Sequence, residues 1–176
     1  MELPGHDKSK FKLANLPMIA NAFKEVLNHY KVAKPISAIG HSFGGLAICY
    51  ALEEYNLEGQ NIITIATPHS VEGIFNEFVR RAGLSPKARN HLFDYFEEMT
   101  NREMEDVNTG GLLSKINPDE VLIIHDESDS ILSVQNALKI KSKYPNGRLL
   151  LTQKSGHNGI LSNKEVLDAV TKMMTN

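Results

Sequence analysis

The chain has one cysteine, Cys49, among 176 residues. A lone thiol forms neither an internal disulfide nor a cysteine zinc cage, so no covalent or metal staple of that kind supports the fold. Charge of one sign is not in excess either. Nineteen Lys and Arg stand against 21 Asp and Glu, a formal net charge of −2, which leaves no electrostatic case for nucleic acid or an anionic membrane surface. No apolar stretch approaches the roughly 18 residues of a membrane-spanning helix. The amino end, with Pro4, Gly5, His6 and Asp7, has no apolar run behind a basic start, so no secretory signal is expected. Repeats and low-complexity tracts are lacking too. These absences lead us to expect a soluble, cytoplasmic protein with no nucleic-acid or membrane partner. What is present suffices for a core: 41% of residues are apolar, at a length where folding buries roughly 70% of the surface an unfolded chain exposes. With about 150 residues per domain as a prior, we expect one domain over residues 1–176.

Helix and strand signals alternate along it. Asn15 and Pro17 precede a helical stripe of Leu16, Ile19, Phe23, Val26, Leu27 and Tyr30, a capped helix start. Pro35 opens the short apolar run Ile36-Ser37-Ala38-Ile39, which Gly40 ends. A helical stretch follows Gly44-Gly45 to about Tyr55, and Ile62-Ile63-Thr64-Ile65-Ala66 reads as a second buried strand closed by Pro68. Residues 68–118 carry two helix signals, one with Ile74, Phe75, Phe78 and Val79, the other opening at Ser85-Pro86 with Leu92, Phe93, Phe96 and Met99. Then Val121 to Ile124 predicts a third strand, Ser133 to Tyr144 a helix, Leu149 to Leu151 a fourth strand, and Asn163 to Met174 a closing helix. Fully apolar strands separated by helices predict the α/β class, a mostly parallel sheet covered on both faces.

The chemistry centres on Gly40-His41-Ser42-Phe43-Gly44-Gly45. A bare G-x-S-x-G arises by chance in about one chain in twenty of this length. Here it lies between a predicted strand and a predicted helix, the context of a nucleophile elbow. Ser42 would project its hydroxyl above the carboxyl edge of the sheet, and the backbone N–H of Phe43 would face a developing oxyanion. A serine needs a base, and the base an orienting carboxylate. Asp129, in the loop after the third strand, and His157, after the fourth, stand at the same sheet edge. Asp126 and Glu127 are alternative acids that sit nearer the strand end and read as loop-shaping or solvated. His41 is expected to pack behind the elbow. His6, His29, His69, His91 and His125 show no metal spacing, and we expect satisfied or surface histidines. Cys49 reads as a small buried residue, and Glu97, Glu98, Glu103, Glu105 and Asp106 as a solvated face. No metal or cofactor is expected.

With these stretches in view, together with Leu3-Pro4-Gly5-His6, Ala66-Thr67-Pro68, Ile124-His125-Asp126-x-x-Asp129 and Gly156-His157, the chain resembles the serine-nucleophile, esterase-like members of the α/β-hydrolase superfamily. The resemblance implies a Ser42, Asp129, His157 triad, a helical cap inserted at residues 68–118, and hydrolysis of a carboxylic ester or related small-molecule acyl compound without cofactor. Asp7 stands where such relatives usually have glycine. The resemblance also implies an amino-terminally incomplete domain, without the family's first strands and the loop carrying the second oxyanion donor. Ile36 to Ile39 would then be an open sheet edge through which the chain could self-associate. Thioesterase, peptidase and acyltransferase chemistry stay open at this point, as does a different class of function, a non-catalytic binding module or inactive truncated gene product on the same fold.

Overall fold

Asn15 starts the first helix as its sequence position predicts: its side chain accepts the Met18 N–H at 2.9 Å, and α1 runs Leu16–His29. The structure, a computed structural model, describes residues 4–5, 8–10 and 12–175. Leu3, His6 and Asp7, which the resemblance used, lie outside the described residues. After α1 come β1 (Ile36–His41), α2 (Phe43–Glu54) and β2 (Gly59–Ile65). Helices α3 (Val71–Ala82), α4 (Pro86–Thr100) and α5 (Thr109–Ile116) then precede β3 (Glu120–Asp126), α6 (Gln135–Lys143) and β4 (Arg148–Thr152). The short α7 (Gly156–Gly159) and the closing α8 (Lys164–Thr175) complete the order.

Among the described residues all three strand pairings are parallel, in the order β1-β2-β3-β4. Registers such as His41 opposite Ile65, Ile65 opposite Ile124 and Asp126 opposite Thr152 align the carboxyl ends of the strands at one edge. The loops that follow the strands therefore meet there. The apolar runs explain the two-sided burial. Ile62, Val121 and Ile123 join the core beneath α1, α2, α5 and α6. Their neighbours Ile63, Ile65, Leu122 and Ile124 pack on the opposite face with Ile160, Val166 and Met173. Each such buried aliphatic side chain contributes about 1.5–3 kcal/mol relative to exposure, and a run that feeds both faces needs no polar alternation.

Among the described residues, α5, the four-residue α7 and the 3₁₀ turns Met104–Asp106 and Ile160–Ser162 were not evident in the sequence. Residues 101–118 fold into a 3₁₀ turn, Met104–Asp106, and the extra helix α5, capped by Asn108, whose side chain accepts the Gly111 N–H at 2.8 Å. The helix packs on α2 and α6, in the layer beside the sheet. Helices α3 and α4 pack on one another through Phe75, Phe93 and Phe96, with edge-to-face ring centroids 5.8–6.1 Å apart. Beyond α4, Arg102 pairs with Glu53 and Glu54 of α2 and lies over the Tyr50 ring, which ties this segment to the body of the fold. The expected solvated face is largely that: Glu98, Glu103, Glu105 and Asp106 are exposed, while Glu97 accepts the Met104 N–H at 3.1 Å.

Candidate active site

Ser42 joins β1 to α2 with φ 53° and ψ −132°, a conformation that costs a non-glycine residue about 1–3 kcal/mol and persists only where its surroundings impose it. They do. The Ser42 N–H donates to the Ile65 carbonyl at 2.8 Å, and the Ser42 carbonyl accepts from Gly45 N–H at 3.0 Å. The turn is so tight that a Cβ on Gly40 would lie 2.6 Å from the Gly45 nitrogen, and one on Gly45 would lie 2.9 Å from Thr67 Cγ2. These two glycines let strand and helix cross in contact. Phe43, as the first residue of α2, has an N–H without an acceptor inside the helix, and Ser42 remains half-buried rather than sealed.

The carboxyl-edge loops bring the three expected side chains together. His157 Nε2 lies 3.0 Å from Ser42 Oγ, and His157 Nδ1 lies 2.7 Å from Asp129 Oδ2. Asp129 Oδ1 accepts the N–H groups of Ile131 and Leu132, both at 2.8 Å. That leaves Oδ2 for the imidazole, so the hydrogen-bond pattern assigns the proton to Nδ1 and a lone pair to Nε2. The His157 and Asp129 side chains are 8% and 0% exposed, so water competes little for their contact. A cavity of about 700 Å³ opens beside Asp129, between α3 and residues 129–133, with Ile74, Phe78, Ile131 and Leu132 on its walls and Arg80 and Arg81 among its lining.

Three neighbours carry more than the sequence indicated. His41 does not simply pack behind the elbow: its Nε2–H donates to the His157 backbone carbonyl at 2.9 Å, and the two rings lie 4.9 Å apart. His125, the last residue but one of β3, is fully buried. Its Nε2–H donates to the Leu132 carbonyl at 2.8 Å and sits 3.5 Å from Asp129 Oδ2, while its Nδ1 has no partner among the described residues. Asp126 is fully buried and accepts from Ser128 N–H (2.9 Å) and Gly156 N–H (3.0 Å) on one oxygen, and from Thr152 Oγ1–H (2.8 Å) and Ser155 N–H (3.0 Å) on the other. Burial pushes its carboxyl up, but the bonds from Gly156, Thr152, Ser155 and Ser128 outweigh it and hold the group below the usual carboxylate range. Glu127 points outward and accepts from Gln153 Nε2 at 2.7 Å. Neither Asp126 nor Glu127 is hydrogen-bonded to a His157 ring nitrogen; Asp129 is. The signal for a buried Asp126 was its place two residues past the apolar run Val121–Ile124, at the end of β3, where a polar residue inherits the strand's burial.

Cys49 lies in α2 with its thiol buried and pushed up to about 12 by desolvation, the inert state of a packed cysteine. Among the described residues no group of three His, Cys, Asp or Glu side chains is placed to hold a metal, and no helix is long and apolar enough to cross a membrane.

A strained serine between parallel strand and helix, with histidine and aspartate reaching it from the next strand ends, defines a class of protein that sequence comparison also finds. The family model described as alpha/beta hydrolase fold matches residues 1–98, more than half of the chain, and the chain belongs to that family. Among solved structures it is similar to a carboxylesterase of the thaumarchaeon Nitrososphaera gargenis at 20% identity and TM-score 0.66, covering 99% of this chain and 78% of that one. A bromoperoxidase from Bacillus anthracis aligns at 13% identity and TM-score 0.68, covering 98% and 79%. An alpha/beta hydrolase enzyme from the metagenome of Moroccan lagoon sediments aligns at 17% and 0.65, covering 97% and 74%. At such identities the likeness is one of fold. No curated protein matches the sequence significantly.

Proposed function

We propose that the protein is a serine hydrolase that cleaves a carboxylic ester or related small-molecule acyl compound, without a cofactor. The observation that carries the reading is the continuous line from Ser42 Oγ to His157 Nε2 at 3.0 Å and from His157 Nδ1 to Asp129 Oδ2 at 2.7 Å. In this reading Ser42 Oγ bonds to the acyl carbon as its proton passes to His157 Nε2. The carbonyl oxygen becomes an oxyanion facing the Phe43 N–H, at the amino end of α2, where the helix dipole also favours negative charge. Collapse of the tetrahedral intermediate breaks the bond to the leaving alcohol, which takes the proton from Nε2. Water then repeats the sequence: His157 removes its proton as the water oxygen bonds to the acyl carbon, the acyl–Ser42 bond breaks as Ser42 Oγ takes the proton back from Nε2, and the acid departs. Asp129 keeps the imidazole in the one tautomer that can accept at Nε2. Of the expected cap at residues 68–118, helices α3 and α4 keep that role, with the cavity between α3 and residues 129–133 receiving part of the substrate, whereas α5 packs on α2 and α6 as part of the main core. A volume of about 700 Å³ suits a small-molecule ligand.

A fluorophosphonate probe tests this directly. The purified protein should be labelled at Ser42 and should hydrolyse short p-nitrophenyl esters, and Ser42→Ala should abolish labelling and lower the ester rate by on the order of 10⁴-fold or more. Labelling that survives Ser42→Ala would remove Ser42 from the reaction.

A further inference from the structure

The loop that carries His157 has little of its own to hold it. Ser155 precedes the four-residue α7 without any side-chain cap, and the N–H groups of Ser155 and Gly156 find no local acceptor. Both donate across the structure to Asp126, 29 and 30 residues earlier. The same carboxylate takes the Ser128 N–H, and the Asp126 carbonyl takes the Asp129 N–H at 3.1 Å, which shapes the turn that presents Asp129. Oδ1 thus bridges the acid loop, through Ser128, and the base loop, through Gly156. Oδ2 adds Ser155 and the Thr152 hydroxyl at the end of β4.

We propose that Asp126 is a positioning residue for the reaction, a buried carboxylate that locks the His157 loop to the Asp129 loop so that the imidazole meets both Asp129 and Ser42. The physical case rests on valence. An ionised carboxylate accepts only, with about four lone-pair sites, and here all four are directed to donors: two on the base loop, one on the acid loop, one on the strand between them. No lysine or arginine pairs with it among the described residues, so its ionised state depends on these donors alone. Any neutral replacement leaves at least one buried N–H facing another donor or nothing, and the least costly relief is movement of the loop that bears His157. The distances at stake are short. A shift near 1 Å would break the 3.0 Å contact to Ser42, and misplacement on that scale costs on the order of 10²-fold in rate.

The inference rests on Ser42, His157 and Asp129 acting as proposed above, and the fluorophosphonate experiment separates the two. Labelling of the full chain is followed for wild type, Asp126→Asn, Thr152→Val and Ser42→Ala, recording both the rate constant and the final stoichiometry. A positioning role predicts that Asp126→Asn reaches wild-type stoichiometry with a rate constant lower by on the order of 10²-fold. Thr152→Val, which removes one of the four donors and no charge, should slow labelling by roughly fivefold. The far-downfield proton resonance of a His157 Nδ1–H bonded to Asp129 should broaden or vanish in Asp126→Asn while the circular dichroism of the fold persists. Wild-type rate constants in both variants would overturn the proposal, as would a loss of labelling accounted for wholly by lower stoichiometry, the signature of a merely structural residue. If Asp126→Asn does not fold, Thr152→Val decides by the same criteria. Labelling that persists in Ser42→Ala would instead overturn the nucleophile reading, and this inference with it.

Discussion

Replacing Asp129 with asparagine changes one oxygen to an amide nitrogen and leaves the shape of the side chain intact, yet the structure predicts a near-complete loss of activity. The orientation of the new amide is decided by its surroundings. Oδ1 now receives two N–H bonds at 2.8 Å, from Ile131 and Leu132. Turning the NH₂ toward them would leave two buried donors unsatisfied at about 1–3 kcal/mol each. The carbonyl oxygen therefore stays, and the NH₂ takes the Oδ2 place, 2.7 Å from His157 Nδ1 and 3.5 Å from His125 Nε2. Facing a donor, the imidazole adopts the other tautomer, with its proton on Nε2. That nitrogen, 3.0 Å from Ser42 Oγ, then has no lone pair to receive the serine proton. The kcat for a p-nitrophenyl ester should fall by on the order of 10⁴-fold, equivalent to roughly 5.5 kcal/mol of barrier, with KM within about twofold because no substrate contact is removed. Steady-state kinetics and the rate of fluorophosphonate labelling should report the same loss. An Asp129→Asn protein within tenfold of wild type would refute the assignment of Asp129 as the orienting carboxylate and the tautomer argument with it.

Other outcomes follow from packing, charge and the sheet edge. Gly40→Ala places a methyl group 2.6 Å from the Gly45 nitrogen and 2.8 Å from the Gly44 carbonyl carbon. Both are backbone, so β1 and α2 must separate, at about 3 kcal/mol or more, seen as a fall in melting temperature of roughly 10 °C. Gly44→Ala, whose Cβ meets nothing within 4 Å, should melt near wild type, and equal losses at the two positions would defeat the close-crossing argument. Because the native Asp126 carboxyl is held below its ordinary range, its stabilisation is complete above the unfolded value of about 3.9 and is lost as pH falls through the lower native value. Urea unfolding should therefore show a gap between wild type and Asp126→Asn that is constant from about pH 8 to 5 and narrows only below about 4; a gap that widens on acidification would reverse the sign. Strand β1 pairs on one side only among the described residues, with β2, and Ile39 on it is 44% exposed. We expect sedimentation velocity to show self-association that rises with concentration and is weakened by Ile39→Lys, whereas a monomer at every concentration would show that this edge pairs with no second copy.

The α/β class, the four strands and the elbow were legible in the sequence because each depends on neighbours a few residues apart. Ile62 to Ala66 and Val121 to Ile124 are apolar at every inward and outward position but one, which only a strand buried on both faces requires, and Gly40 and Gly45 mark a backbone crossing with no room for side chains. Asn15 announced its own capping bond. Even the meeting of Ser42, Asp129 and His157 followed from a topological rule, since parallel strands release their loops at one edge. What only the tertiary structure decided was the partnership of polar groups across that edge. Whether Asp126 was solvated, loop-shaping or a rival acid depended on donors 26 to 30 residues away, at Thr152, Ser155 and Gly156. The bond from His41 to the His157 carbonyl spans 116 residues, and the place of His125 beside Asp129 depends on how the turn at residues 129–132 folds back over the end of β3. Local pattern reports which side chains must leave water, because hydrophobic burial is additive and nearly indifferent to the identity of the partner. Hydrogen bonds are directional and specific to a partner, so which donor each buried carboxylate and imidazole finds is settled only when the strands have been set side by side.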